Sequence, residues 1–297
     1  MDLFLECALF VVGLTFGSFL NVCISRIPQD LSIISPRSFC PQCHVPIRWR
    51  DNIPLLSWIL LRGRCRECRQ PISLRYPAVE LLTAVLFVAC YASFGIAWLT
   101  LKFCVFCFLV IGMIFMDAET GLLPHEFTYP GIALGLAFAW RAPANQPSTA
   151  FLLSAFGMRD IPSGPELSLL DSIVGAVFGA GFFYLGWALY YLVRKRQGMG
   201  FGDIALIAMI GAFLGLKLTV LVVFIAPIMA TLFAVVMLAI KPNASLGHSA
   251  PDHATKGSLT SALLSREVPF GVFLGTSALI ALFFGEQMWS WYLGMFG

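Results

Sequence analysis

Charge is what this 297-residue sequence has least of: Asp, Glu, Lys and Arg make up 12%, hydrophobic residues 59%, and the mean hydropathy is +0.84. A soluble globular domain carries roughly twice that share of charge, so a soluble class is excluded and a polytopic membrane protein is expected. Also missing are any soluble stretch large enough for a nucleotide-binding sheet and any glycine fingerprint after a strand pattern, which excludes a Rossmann-type domain. The first apolar segment, 3–24, lacks a basic start and a small-residue cleavage pattern. It reads as a retained helix rather than a signal peptide. The net charge is only +3, so no nucleic-acid partner is expected and the placement of charges says more than their sum.

The apolar runs give eight candidate spans, at 3–24, 77–97, 98–116, 127–141, 170–193, 203–216, 218–240 and 269–293. Two of them, 127–141 and 203–216, fall short of the roughly 20 residues that an upright crossing needs. With the stretch after the first span placed in the cytoplasm, 15 of the 19 Lys and Arg residues lie inside. Only Lys102, Arg141, Arg159 and Lys217 lie outside, as the positive-inside rule requires. The expected fold is all-α, with about eight transmembrane helices and a small cytoplasmic zinc-ribbon-like domain after the first helix. Its parts are the first helix, 1–24, a cytoplasmic domain, 25–76, and a membrane body, 77–297. Nine arginines in 25–76 face three acidic residues. They read mainly as topology anchors and also offer a surface to anionic lipid. The outer stretch 142–169 shows no recognisable chemistry, and 243–265 reads as a flexible connector.

Four of the nine cysteines form two Cys-x-x-Cys knuckles, Cys40 with Cys43 and Cys65 with Cys68. This spacing lets four thiolates converge tetrahedrally on one zinc, and a reducing cytoplasm disfavours disulfides there. A closed four-thiolate site is structural rather than catalytic. His44 adjoins the second ligand, but the tetrad is complete without it. Cys104 and Cys107 repeat the spacing inside an apolar helix and read as small buried hydrophobes, as do Cys7, Cys23 and Cys90.

Two aspartates stand where apolar runs meet the inner face. Asp117 closes the run from Phe103 to Met116, and Asp203 opens the next one after Gly200-Phe201-Gly202. A carboxylate at such a place is costly to desolvate and is a functional hypothesis by default. Two carboxyls close enough to share a proton suit acid/base chemistry, one taking a proton from water and the other polarising a carbonyl. Gly200 and Gly202 would let the backbone approach a substrate strand and leave room for the water. Glu119 and Glu126 read as residues of the connecting loop. The plainer alternative is that both aspartates are helix-end caps or solvated charges.

The chain resembles the type IV prepilin leader peptidase family, bifunctional membrane enzymes that cut and N-methylate prepilins. The resemblance rests on Gly17-Ser18-Phe19-Leu20-Asn21-Val22 with Arg26 and Pro28, then Cys40 through Asp51-Asn52-Ile53-Pro54, Ser57-Trp58, Arg62-Gly63-Arg64-Cys65 and Arg75-Tyr76-Pro77 to Glu80. It continues at Asp117 with Leu123-Pro124, at Gly198-Met199-Gly200-Phe201-Gly202-Asp203, at Gly211-Ala212-Phe213-Leu214-Gly215 and at Pro269-Phe270-Gly271. It implies an intramembrane aspartic peptidase of the Gly-x-Gly-Asp kind, with Asp117 and Asp203 as its pair, in the bacterial inner membrane. The implied substrates are prepilin or pseudopilin precursors, cut after Gly at the cytoplasmic face and methylated from S-adenosylmethionine on the new amine. Gly17, Asn21 and Glu80 are methyltransferase candidates by resemblance alone, and the cysteine loop is the implied metal domain. The chain departs from the family at His125, where an acidic residue is common, and at Ala205, where a lysine is common. The competing classes are an ion- or proton-coupled transporter, which would place its aspartates near the midplane, and a zinc-bearing scaffold, which leaves them idle.

Overall fold

The computed structural model describes residues 2–143, 148–157, 163–195, 200–240 and 269–295. Among them the regular structure is helical: α1 (Asp2–Arg26), α2 (Leu56–Leu60), α3 (Arg75–Phe94), α4 (Trp98–Thr120), α5 (His125–Arg141), α6 (Thr149–Ala155), α7 (Pro165–Arg194), α8 (Phe201–Ile240) and α9 (Phe270–Gly294). Six of these, α1, α3, α4, α7, α8 and α9, are long and apolar enough to cross a membrane. The expected connector 243–265 and the pair Gly198-Met199 lie outside the described residues.

The long α8 is not one rod. Gly215 adopts φ 75° and ψ −178°, a left-handed backbone that excludes helix continuation and that glycine alone adopts freely. A β-carbon built on Gly179 would lie 2.9 Å from Ile207 Cγ1 and 3.1 Å from Thr219 Cγ2. On a straight helix positions 207 and 219 would stand about 18 Å apart, so the chain turns back at Gly215 into arms 201–214 and 216–240. Those arms are the two separate segments expected there. With the 17-residue α5, they complete the eight apolar segments.

Helix α4 is the hub, with 67% of its apolar window buried against 17–50% in the other five. Its side chains Phe106, Ile111, Met113 and Met116 meet Leu20 of α1, Leu206, Met209 and Phe213 of α8, and Leu274 of α9 in one core. The helices approach through small residues, as expected where lipid supplies no hydrophobic drive. A β-carbon on Gly13 would stand 2.5 Å from Ala84 Cα, and one on Gly175 would stand 2.6 Å from the Gly215 carbonyl carbon. The latter contact is backbone on backbone and cannot relax by a rotamer change. Gly175→Ala is therefore expected to cost about 1–3 kcal/mol, seen as a lower melting temperature in detergent.

The turn at Gly215 is held from outside. Asp171, buried on α7, accepts hydrogen bonds from the Leu216 amide (3.3 Å) and the Thr149 amide (3.1 Å). Buried Lys102 lies within electrostatic range of it. The stretch 142–169, which showed no chemistry as sequence, thus supplies α6 and a ligand for this carboxylate. The sequence reading also ended the α4 span too early. Helix α4 runs to Thr120 and α5 begins at His125, so Glu119 and Glu126 belong to helix ends rather than to a loop. Cys23, Cys90, Cys104 and Cys107 are buried as expected, whereas Cys7 is exposed on the outer face of α1.

Candidate active site

Asp117 sits in the last turn of α4, where Gly121 ends the helix in a left-handed conformation and returns its amide to the Asp117 carbonyl at 2.9 Å. Asp203 sits in the first turn of α8. Both are buried, 6% and 8% exposed, and the Asp117 carboxylate lies within electrostatic range of Asp203. Two side chains 86 positions apart are thus brought within electrostatic range of each other, at the end of the bundle where Arg75, after the cysteine loop, pairs with Glu119. Asp117 Oδ2 accepts the Val272 amide at 3.0 Å, and the Gly271 amide also reaches this carboxylate. The N-terminus of α9 therefore fixes the Asp117 carboxylate.

Leu123 is the wedge that joins these ends. A β-carbon on Gly202 would come 2.7 Å from Leu123 Cβ, and one on Gly271 would come 3.0 Å from Leu123 Cδ2 and 2.8 Å from Asp117 Oδ2. Gly202 is thus filled by packing against Leu123, whereas a β-carbon on Gly200 would meet nothing closer than 3.8 Å. Sequence reasoning missed the Val272 amide and named Leu123 only within the family resemblance, with no packing role. The signal for the amide was Pro269-Phe270-Gly271, a proline before a helix start with a glycine behind it. Gly271→Ala is expected to push the Asp117 carboxylate off its amides. The expected outcome is a lower kcat for whatever reaction the pair performs, with KM little changed, measured by steady-state kinetics.

The four predicted metal ligands converge. The Sγ atoms of Cys40, Cys43, Cys65 and Cys68 all lie within 4.8 Å of one another, and Cys40 and Cys68 are 3.9 Å apart. Zinc–sulfur bonds of about 2.3 Å would set tetrahedral sulfurs about 3.8 Å apart, so the donor set fits that ion. The knuckles are near copies. The Cys40 amide donates to Val45 O and the Cys65 amide to Gln70 O, the bridges Phe39–Pro46 and Arg64–Pro71 close them, and His44 and Arg69 take the left-handed turn position. His44 is therefore a turn residue rather than a fifth ligand. Burial pushes the Cys40 thiol up, but the Cys43 and Gln42 amides and the neighbouring thiols outweigh it and bring it down to about 7. Beside the tetrad, a bidentate hydrogen-bonded contact with Arg66 holds Asp51 below the usual carboxylate range.

The remaining candidates, Gly17, Asn21 and Glu80, meet where α1 crosses α3. A β-carbon on Gly17 would lie 2.6 Å from Glu80 Cα, so Gly17 is where the two backbones touch. Asn21 Nδ2 donates to Gly17 O (3.3 Å) and Tyr76 O (3.0 Å), while its Oδ1 is buried without a partner. Glu80 Oε2 accepts the Leu55 amide at 2.7 Å and ties the cysteine loop to α3. Arg75 and Glu119 pair across the starts of α3 and the end of α4.

Comparison with known proteins is consistent with this arrangement. A family model described as the bacterial peptidase A24 N-terminal domain matches residues 11–94, and one described as the type IV leader peptidase family matches 104–235. A protein of Aeromonas hydrophila named prepilin leader peptidase/N-methyltransferase is 33% identical over 97% of this chain and 93% of its own length. A protein of Neisseria gonorrhoeae with the same name is 35% identical, covering 76% of this chain and 80% of its own. A third with that name, from Myxococcus xanthus, is 40% identical over 77% of this chain, and the match spans 62% of the longer relative. No solved structure matches. The tetrad, the opposed aspartates and the matches across both halves agree: this chain belongs to the type IV leader peptidase family.

Proposed function

We propose that this chain is a membrane aspartic endopeptidase that removes the short basic leader from type IV prepilin-like precursors and then N-methylates the new terminus from S-adenosylmethionine. The relatives' shared name supports both activities. The observation that carries the peptidase assignment is that Asp117 and Asp203 are both buried and lie within electrostatic range of each other, in a last and a first helical turn. In this reading one aspartate is ionised and draws a proton from water. The other is protonated and donates to the carbonyl of the scissile bond after the leader's Gly. The hydroxyl adds to the carbonyl carbon, the tetrahedral species collapses, and the departing amine takes the proton back. The Val272 amide holds Asp117 in place throughout.

The proposed division is a first helix, 1–24, a metal-binding loop, 25–76, and a peptidase body, 77–297, in the bacterial inner membrane with the pair facing the cytoplasm. The six apolar helices support a multi-pass protein, and the basic loop on the side of the aspartates supports this orientation. The tetrad would hold zinc as a structural ion, fixing the loop that bears Leu55 against Glu80. A transporter would place its acidic pair near mid-helix, whereas these stand in a last and a first turn. The test is a synthetic prepilin-type precursor incubated with the purified enzyme, with and without S-adenosylmethionine, and read by mass. Loss of the leader in both reactions, and one added methyl group only with the donor, is the expected result. An intact precursor in both would reject the reading.

A further inference from the structure

Between the cysteine loop and the ends of α1, α3 and α4 lies a cavity of about 910 Å³ whose walls include Asn21, Trp58, Arg75, Tyr76, Glu80 and Glu119. Its volume falls at the upper end of the roughly 300–1,000 Å³ typical of small-molecule sites. Most of its charged walls are already matched: Asp51 pairs with Arg66, Glu67 with Arg48 and Glu119 with Arg75. Glu80 is different. It is 7% exposed, and among the described residues its hydrogen bonds come from the Leu55 amide and the Ser18 hydroxyl, with no cation paired to it. A buried carboxylate is ordinarily matched by a positive charge. On the same α1–α3 contact, Asn21 is 2% exposed and its Oδ1 has no donor. Two buried acceptors that line one cavity and lack a cation or donor are matched by a ligand bearing positive charge and N–H groups. A smaller cavity of about 320 Å³ nearby has three arginines and no carboxylate in its walls, and suits no such ligand.

We infer that this cavity is the S-adenosylmethionine site, with Glu80 as the counter-charge to the cationic donor and Asn21 Oδ1 as acceptor for its ammonium. The inference rests on the methyltransferase reading above. Trp58 and Tyr76 line the cavity and supply aromatic surface for an adenine. The cavity reaches Glu119, on the same last turn of α4 as Asp117, so a newly cut N-terminus has a short way to travel between the two chemistries. There the neutral amine nitrogen attacks the methyl carbon and the sulfur–carbon bond breaks with its electron pair left on sulfur. The methylated ammonium then gives a proton to water.

The experiment is equilibrium binding of S-adenosylmethionine, and separately of the uncharged thioether S-adenosylhomocysteine, to the purified full chain and to Glu80→Gln. Glu80→Gln keeps the side chain's shape and an acceptor for the Leu55 amide. The inference expects it to weaken the sulfonium donor at least tenfold and the thioether clearly less, with unmethylated product accumulating. Precursor cleavage read in the same reaction reports that the variant is folded. A second variant, Asn21→Leu, is expected to weaken both ligands. A wild-type enzyme that methylates, beside a Glu80→Gln enzyme that binds the donor as tightly as wild type, would overturn the inference alone. A wild-type enzyme that neither binds the donor nor methylates would overturn the methyltransferase reading and the inference with it.

Discussion

Asp203→Asn is expected to slow precursor cleavage about 10²–10⁴-fold or more, the contribution of a positioned acid or base. The substitution preserves shape but removes the side chain's ability to exchange a proton, which both members of the pair must do in one catalytic cycle. Asp117→Asn should do the same for an added reason. Its Oδ2 accepts the Val272 amide, so the new amide must keep its oxygen there and place its N–H groups at the other position. A donor then stands where an exchangeable oxygen is needed. The double variant should be hardly worse than either single one, because groups that act as a unit lose their effect together. Cleavage by purified Asp203→Asn at more than a tenth of the wild-type rate would remove the peptidase assignment.

Purified protein should carry about one zinc per chain, and Cys65→Ser should carry almost none. Four thiolates already within 4.8 Å of one another need little rearrangement to close on the ion. Structural zinc in such sites is bound with an apparent free energy of about 10–16 kcal/mol at neutral pH. Dialysis should therefore leave the metal in place. Acid should release it, because each ligand must lose its proton to bind and protons compete as the pH falls. The accompanying readout is limited proteolysis: the loop between α1 and α3 should resist cleavage with metal and be cut in Cys65→Ser. Metal analysis showing no zinc in protein with reduced, accessible cysteines would count against the site.

Much of this was legible because it was encoded in spacing. Two Cys-x-x-Cys pairs specify a tetrahedron whatever surrounds them, and a carboxylate beside an apolar run stands out against a composition that is only 12% charged. The break between 203–216 and 218–240 was legible at Lys217, two residues after the turn at Gly215. What the sequence hid was long-range pairing. The Val272 amide reaches Asp117 across 155 positions, and no local pattern marks a backbone N–H as a ligand. Asp171 passed unnoticed because its purpose, capping the turn at Gly215, exists only once α7 lies against α8. Glu119 reads as loop in the sequence because apolar periodicity fades before α4 ends, and its partner Arg75 lies on another helix. Nor does the sequence mark Gly202 as the place where Leu123 packs.

The arm that begins at Phe201 and stops at Gly215 is about 21 Å long, and α5 beside it, touching through Gly135 and Ala212, about 26 Å. Both fall short of a hydrocarbon layer about 30 Å thick. Tyr129, Leu134 and Trp140 on the outward side of α5 are exposed, so lipid that wets them must dip to meet the polar helix ends. Such a dimple would bring head groups and water down to the carboxyl pair on that flank. A precursor still embedded by its own hydrophobic helix could then present its charged junction there without dragging it through oil.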